Sequence, residues 1–173
     1  KLTEIPDILF ELKDLKKLDL SENPISKIPP DIKKLTKLAT LILKECKLTN
    51  LPDEIGDLTQ LEELDVSSNS MMEYNGQLKL GEWVGKLKNL KVLCCDYNLC
   101  FPFPDSIRQL KNLEELSLYQ CSDGKEVDFP EVITQLTSLK KKKIGSNSFR
   151  TIPQSITKLL QLEELNLGSS LCY

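Results

Sequence analysis

Residues that carry out chemistry are scarce in this chain. It has no histidine among its 173 residues, so Ser–His–Asp and Cys–His nucleophiles are excluded. Acidic pairs do occur, at Glu62-Glu63, Glu114-Glu115 and Glu163-Glu164, but they stand at equivalent places in a repeating pattern. We interpret them as a property of the repeat and expect no enzymatic activity within this sequence.

The segment Gly81 to Lys86, GEWVGK, has some likeness to a phosphate-binding loop. It has one residue too few between its glycines, and Leu87 stands where that loop has Ser or Thr. We therefore expect no nucleotide site. We also expect no other cofactor and no small-molecule substrate.

One motif recurs along nearly the whole chain, and the fold that it predicts must position the other residues. It reads L-x-x-L-x-L-x-x-(N or C)-x-L, then an apolar residue and proline, then I-x-x-L, and residues 38–60 show it most clearly. We predict one domain, residues 1–173, made of a partial repeat 1–14, complete repeats 15–37, 38–60, 61–89, 90–112, 113–138 and 139–161, and a partial repeat 162–173.

This motif, at a spacing of 23 residues or slightly more, resembles the leucine-rich repeat family. The resemblance implies an α/β solenoid, a horseshoe with a parallel β-sheet on its concave face and short helical or 3₁₀ turns on its convex face. The I-P-x-x-I-x-x-L form resembles the intracellular class found in Ras-pathway scaffolds and plant Ras-group proteins, and also in polarity scaffolds, bacterial effectors and Roco GTPases. It implies a binding scaffold and offers no catalytic residues to transfer.

Alternation of apolar and polar residues predicts the two faces of each strand. In the second repeat, Leu41 and Leu43 should point inward and Ile42 outward. The Asn of the motif should hydrogen-bond the backbone of neighbouring turns, with Cys as a weakly donating substitute in two repeats. The proline and the I-x-x-L step should begin a helical or 3₁₀ turn.

Six cysteines are present without a C-x-x-C pair, and we expect no metal site. Cys46 and Cys121 hold the Asn position in repeats three apart, so a spacing of about 4.8 Å per strand puts them about 14 Å from each other. That distance is too long for a disulfide. We predict reduced thiols and a cytoplasmic location.

The composition points to protein as the partner class. The formal net charge is −3 and charged residues make up 28% of the chain, which gives no reason to expect binding to nucleic acid or to a membrane. No apolar run approaches the ~20 residues that span a bilayer, and no signal peptide is visible.

Lys142 occupies a strand position that is Leu in other repeats, within the run Lys140–Lys143. An unpaired buried lysine is costly. One interpretation is that this strand is loose or that the side chain extends to water. The other is a basic site for an acidic partner, although Lys140, Lys141 and Lys143 can also pair with acidic residues on neighbouring strands.

Two repeats are longer than 23 residues. The first insertion lies within residues 71–83, where Tyr74 and Trp83 are candidates to anchor a partner. Alternatively, Trp83 belongs to the convex core beside Val84. The second insertion, around residues 122–126, is polar and predicts a solvent-exposed loop.

Most predicted concave positions are polar, but the exceptions cluster in two adjacent repeats. The cluster consists of Val92, Cys94, Tyr97 and Tyr119. Grouped exposed aromatic residues are typical interface anchors, although scattered surface apolar residues are also normal. The remaining candidates for partner binding on this face are Ile42, Asp65, Glu115, Lys141 and Lys143.

Three functions fit this sequence. The first is a non-catalytic module that recognises a protein partner on its concave face. The second is the targeting domain of a larger enzyme or secreted bacterial effector, a ligase, GTPase or kinase, whose catalytic part would lie outside this sequence. The third is a ligand receptor of the secreted type, which six free thiols would argue against.

Overall fold

The computed structural model describes residues 1–69, 78–122 and 124–168. Across these ranges, seven short strands form one parallel sheet in which each strand lies beside its neighbours in sequence. A 3₁₀ helix of five residues precedes each strand. The predicted solenoid, with a parallel sheet on one face and 3₁₀ turns on the other, is confirmed.

The bounds of these elements follow the repeats. The strands are β1 Lys17–Asp19, β2 Thr40–Ile42, β3 Glu63–Asp65, β4 Val92–Cys94, β5 Glu115–Ser117, β6 Lys141–Lys143 and β7 Glu164–Asn166. The 3₁₀ helices are η1 Asp7–Glu11, η2 Pro30–Lys34, η3 Asp53–Asp57, η4 Glu82–Lys86, η5 Asp105–Gln109, η6 Glu131–Gln135 and η7 Gln154–Lys158. Within the described ranges, no helix is long and apolar enough to cross a bilayer.

Each strand of the central array buries its middle residue. Leu41 lies in register with Leu18 and Leu64, and Leu93 lies in register with Leu116. Leu41, Leu64, Leu93 and Leu116 are fully buried. Burial of one such side chain contributes about 1.5–3 kcal/mol. That gain requires a neighbouring repeat, so stacking stabilises the fold and a single repeat does not.

Proline begins the convex turns because its φ is already close to that of a helix. Pro29 and Pro52 precede η2 and η3 with φ of −65° and −71°. In η2, the Ile32 N–H donates to the Pro29 carbonyl and the Leu35 N–H donates to the Ile32 carbonyl, both at 3.1 Å. Hydrogen bonds between residues three apart place Ile32 and Leu35 above one another, and both are fully buried.

The segment from Gly81 to Lys86 forms one of these convex turns. The Val84 N–H donates to the Gly81 carbonyl at 3.1 Å. A Cβ atom on Gly85 would lie 2.6 Å from the Ser106 Cβ and 2.8 Å from the Ser106 carbonyl oxygen. Glycine is therefore needed at position 85 so that η4 can pack against η5.

The asparagine side chains of the motif hydrogen-bond the backbone of neighbouring repeats, as predicted. The Asn98 amide donates to the carbonyls of Val66 at 2.8 Å and Cys95 at 3.2 Å, and its side-chain oxygen accepts the Asn69 N–H at 2.9 Å. In the same position, the Cys121 thiol contacts the Cys95 carbonyl at 3.1 Å. Cysteine thus replaces part of the asparagine network with a weaker donor.

The expectation that Lys142 lies on a loose strand or extends to water is wrong. Strand β6 is formed and pairs in register on both sides, and Lys142 is 0% exposed. Its ammonium nitrogen has no hydrogen-bond partner and lies 4.4 Å from the centre of the Phe129 ring. Burial lowers the pKa of Lys142 to about 7, because a low-dielectric interior disfavours the charged form. The neighbouring strands hold the backbone in place, and the ring offsets part of the cost.

Candidate binding surface

Two tyrosines stand at the centre of the candidate surface. Tyr97 follows β4 and Tyr119 follows β5, and their ring centroids are 5.5 Å apart at an interplanar angle of 63°. The Tyr97 N–H donates to the Tyr119 carbonyl at 2.8 Å, so hydrogen bonding also joins the two turns. Both tyrosines are partly exposed, which makes their rings accessible to a partner.

The Asp96 carboxylate fixes the position of Tyr119. One of its oxygens accepts the Tyr119 N–H at 2.7 Å and the Ser117 hydroxyl at 2.7 Å, while the other accepts the same hydroxyl at 2.9 Å. Ser117 holds an outward position on β5, in register with Cys94, but it is only 3% exposed. Its hydroxyl is therefore a buried support for the carboxylate and not a contact for a partner.

Gly145, in the repeat after that of Tyr119, makes room for the Tyr119 ring. A Cβ atom at position 145 would lie 3.2 Å from two carbons of that ring and 2.7 Å from the Gly168 carbonyl oxygen. The ring thus lies directly against the Gly145 backbone. Together with Asp96, this contact holds Tyr119 from both sides along the solenoid.

Tyr97 has a left-handed backbone, with φ of 56°. The equivalent residues of other repeats share this conformation: Glu22, Glu45, Ser68, Gln120 and Ser146. A residue with a Cβ atom pays about 1–2 kcal/mol here relative to glycine. Each of these repeats has the same left-handed residue despite this cost. At Tyr97 that residue places an aromatic ring on the concave face.

The partly exposed Cys94 lies in a negative environment. In register, Asp65 stands beside Cys94 on one side, and Ser117 on the other. Burial raises the pKa of the Cys94 thiol to about 12, with further contributions from the carboxylates of Asp65, Asp96, Glu115 and Glu63. The thiol is therefore protonated at neutral pH and is not an activated nucleophile.

Four carboxylates around this thiol lack a basic partner in the described residues: Glu63, Asp65, Asp96 and Glu115. We call these four, with Val92, Cys94, Tyr97 and Tyr119, the acidic–aromatic patch. Its members come from β3, β4, β5 and the turns that follow β4 and β5. The patch therefore combines unpaired negative charge with aromatic and aliphatic surface.

Acidic residues just before the strands behave differently. Glu62 pairs with Lys91 and Glu114 pairs with Lys140, each at 2.8 Å. The predicted pairing of Lys140 across the sheet is therefore confirmed. Lys141 and Lys143 are exposed, and they form none of the ion pairs found in the described part of the chain.

The structure thus brings most of the predicted concave candidates together. Ile42 lies beside Asp65 in register, one strand before the patch, and Lys141 lies beside Glu115, one strand after it. Asp96 and Gly145 were not among the predicted binding residues, although both shape the candidate surface. The role of these residues in binding remains a prediction.

The two candidates of the first insertion have different outcomes. Trp83 is 4% exposed and lies in η4 beside the fully buried Val84. It is a core residue, as the alternative interpretation held, and the prediction that it anchors a partner is wrong. Tyr74 lies outside the described residues. In the second insertion, Gly124, Lys125 and Glu126 are exposed, as predicted, whereas Ser122 is buried at 7% exposure.

The cysteines of the described ranges are free thiols: Cys46, Cys94, Cys95, Cys100 and Cys121. Burial raises the pKa of Cys46 and contributes to raising that of Cys121. Among the residues described, no group of three or more His, Cys, Asp or Glu side chains could hold a metal ion.

The chain belongs to the leucine-rich repeat family, because the family model described as "Leucine-rich repeat region" matches residues 1–79 and 41–167. This fold is typical of protein–protein interaction modules. A segment of 69 residues, 39% of the chain, is 41% identical to the TMV resistance protein N of Nicotiana glutinosa and spans 6% of that protein.

Solved structures of the same fold cover nearly the whole chain. The Leptospira interrogans LRR protein LIC12759 is 32% identical with a TM-score of 0.74, over 98% of this chain and 47% of that one. Internalin C2 of Listeria monocytogenes is 26% identical with a TM-score of 0.81, over 98% and 68%. The plant peptide hormone receptor RGFR1, solved in complex with RGF2, is 26% identical with a TM-score of 0.60, over 95% and 34%.

Proposed function

We propose that this chain is a non-catalytic recognition module that binds a protein partner on its concave face, centred on Tyr97 and Tyr119. The observation that carries this proposal is the tyrosine pair itself. The two partly exposed rings lie in edge contact, and Asp96 and Gly145 hold Tyr119 in place, on a face that is otherwise largely polar. Exposed aromatic residues surrounded by polar groups are common anchors of protein interfaces.

Binding by this surface needs little reorganisation. The Asp96 hydrogen bonds and the parallel ladder fix the backbone at both tyrosines, so little conformational entropy is lost when a partner docks. RGFR1, which shares this fold, was solved with RGF2 bound. That complex supports a partner that binds as a peptide or an extended protein segment.

The test is differential capture from the source lysate, read by mass spectrometry. The baits are the wild-type chain, Tyr119→Ala, and a matched control, Lys17→Ala, on the same face of β1. A single cooperative urea transition for each bait would establish that all three are folded. We expect a protein that is retained by the wild type and Lys17→Ala but lost from Tyr119→Ala. A protein retained equally by all three would place the site elsewhere.

A second candidate is a targeting domain within a longer enzyme or effector. It is favoured by the observation that the chain spans 47% of LIC12759 and 6% of the TMV resistance protein N. The coding sequence on either side of this segment tests it, because an adjoining ligase, GTPase or kinase domain is required. The free thiols support the further proposal of a cytoplasmic location.

A further inference from the structure

Acidic and basic side chains occupy separate regions of the concave face, and this arrangement restricts the charge pattern of a partner that binds there. The outward charged residues of β3 and β5 are all acidic, β4 has none, and the turn after β4 adds Asp96; these carboxylates surround Tyr97 and Tyr119 in the acidic–aromatic patch. On the next strand, β6, both outward residues are basic, Lys141 and Lys143, and both are exposed. A ligand lying across the strands thus meets negative charge first and positive charge second.

The distance between these two regions follows from the strand spacing. Strand β6 is two positions from β4, which corresponds to about 9–10 Å at about 4.8 Å per strand. A peptide in the extended polyproline II conformation has three residues per turn and advances about 3.1 Å per residue. Side chains three residues apart on such a peptide lie on the same side, about 9 Å from each other, and would reach the centre of the patch and the two lysines together.

Arginine suits the acidic–aromatic patch better than other side chains. Its planar guanidinium can stack on a tyrosine ring and also donate two parallel hydrogen bonds to a carboxylate. The carboxylates of Asp65 and Glu115 are free of ion pairs in the described chain, so an arginine would not have to displace an existing lysine. The same negative charge disfavours a nucleic-acid phosphate.

We propose that the acidic–aromatic patch binds an arginine of an extended partner segment, and that Lys141 and Lys143 bind an Asp or Glu three residues away from it. The chain direction of the segment is not restricted, so Arg-x-x-Asp/Glu and its reverse both fit. This proposal rests on the proposed concave-face function and specifies the chemistry of its partner.

The experiment is selection of random linear peptides displayed on phage against the immobilised wild-type chain. Synthetic peptides of the enriched sequences are then measured by fluorescence anisotropy. The test variants are Asp65→Asn with Glu115→Gln, Lys141→Glu with Lys143→Glu, and Tyr119→Ala. The matched control is Glu11→Gln with Asp31→Asn, which removes the same charge far from the patch.

We expect enriched peptides that carry an arginine and an acidic residue three apart. Their affinity should fall at least tenfold for the Asp65/Glu115 variant and remain unchanged for the Glu11/Asp31 control. The Lys141/Lys143 variant should prefer a basic residue in place of the acidic one.

Two results would overturn the proposal, and they have different consequences. Peptides that lose binding to Tyr119→Ala but lack this charge spacing would reject the arginine–acid pattern and leave the concave-face function standing. If no peptide is enriched, or if the enriched peptides still bind Tyr119→Ala, the concave-face function fails as well.

Discussion

The carboxylate of Asp96 accepts the backbone N–H of Tyr119 at 2.7 Å, so a side chain of one repeat fixes the main chain of the next. The same carboxylate accepts the hydroxyl of the buried Ser117. In the preceding repeat, Asp65, which is in register with Cys94, accepts the N–H of Ser67, two residues further along its own repeat. The bond from Asp96 to Tyr119 thus links two repeats at the place where the tyrosines meet.

Because of this relationship, removal of the Asp96 carboxylate and removal of the Asp19 carboxylate should lower the free energy of unfolding by different amounts. Asp96→Ala should lower the free energy of unfolding by about 1–3 kcal/mol, because a buried hydroxyl and a backbone N–H lose their acceptor. Asp19→Ala should cost less, since Asp19 is exposed and bonds only within its own turn. Urea denaturation of both variants measures the difference, and equal losses would show that the link between repeats contributes nothing.

Lys142 predicts a rise in stability with pH. Its pKa is about 7 in the folded chain and 10.5 as the unperturbed value. Between these values the unfolded chain binds a proton that the folded chain lacks, so the free energy of unfolding should rise by up to about 1.4 kcal/mol per pH unit. Below the folded pKa both forms are charged, and the destabilisation is constant.

The measurement compares wild type with Lys142→Leu by urea denaturation from pH 7 to about 8.5. Unfolded cysteines begin to titrate in this range, but both proteins have the same cysteines, so their contribution cancels in the difference. Leucine is the residue at this register in the adjoining strands, Leu116 and Leu165. The variant should be more stable at pH 7 and should lack the rise. An identical pH dependence in both proteins would mean that Lys142 is not buried as a titrating group.

The asparagine position should be more sensitive than its cysteine counterpart. Asn98→Ala leaves buried carbonyls without a donor and the Asn69 N–H without an acceptor, so a loss of about 3–5 kcal/mol is expected. Cys121→Ala removes one weak donor and a small apolar volume, for about 1 kcal/mol. Both are read from urea midpoints, and comparable losses would contradict the network described at Asn98.

Tyr97→Gly should separate binding from stability. Glycine relieves the left-handed backbone by about 1–2 kcal/mol, while loss of the ring contact with Tyr119 costs about 0.5–1.5 kcal/mol. The stability of this variant should therefore stay close to that of the wild type, while its partner binding falls about tenfold or more. Gln120→Gly, at the equivalent turn, is the control and should be more stable than the wild type, with unchanged binding.

The repeat pattern was sufficient for most of the fold. Leucines at fixed spacing identify the buried strand positions, and proline with I-x-x-L identifies the convex turns, because each depends on periodicity within one repeat. The inward direction of Leu41 and the hydrogen bonds of Asn98 followed from the same reasoning.

Features that depend on two different repeats were harder to predict. Trp83 packs into the convex core and Ser117 lies beneath a carboxylate, and neither burial can be read from a single strand. Lys142 breaks the pattern, but its burial depends on Phe129, which belongs to the preceding repeat. A search for Asp two residues after a strand, with Ser on the next strand opposite the last residue of the first, could have found Asp96.

Site-specific photocrosslinking tests whether a partner docks at Tyr97 and Tyr119. A benzophenone amino acid would replace Tyr97 in one sample and, as a control, Leu160, which is 89% exposed outside the patch. After illumination in source lysate, we expect a defined adduct at position 97 that excess wild-type chain removes. The same adducts at positions 97 and 160, or no adduct at position 97, would contradict this expectation.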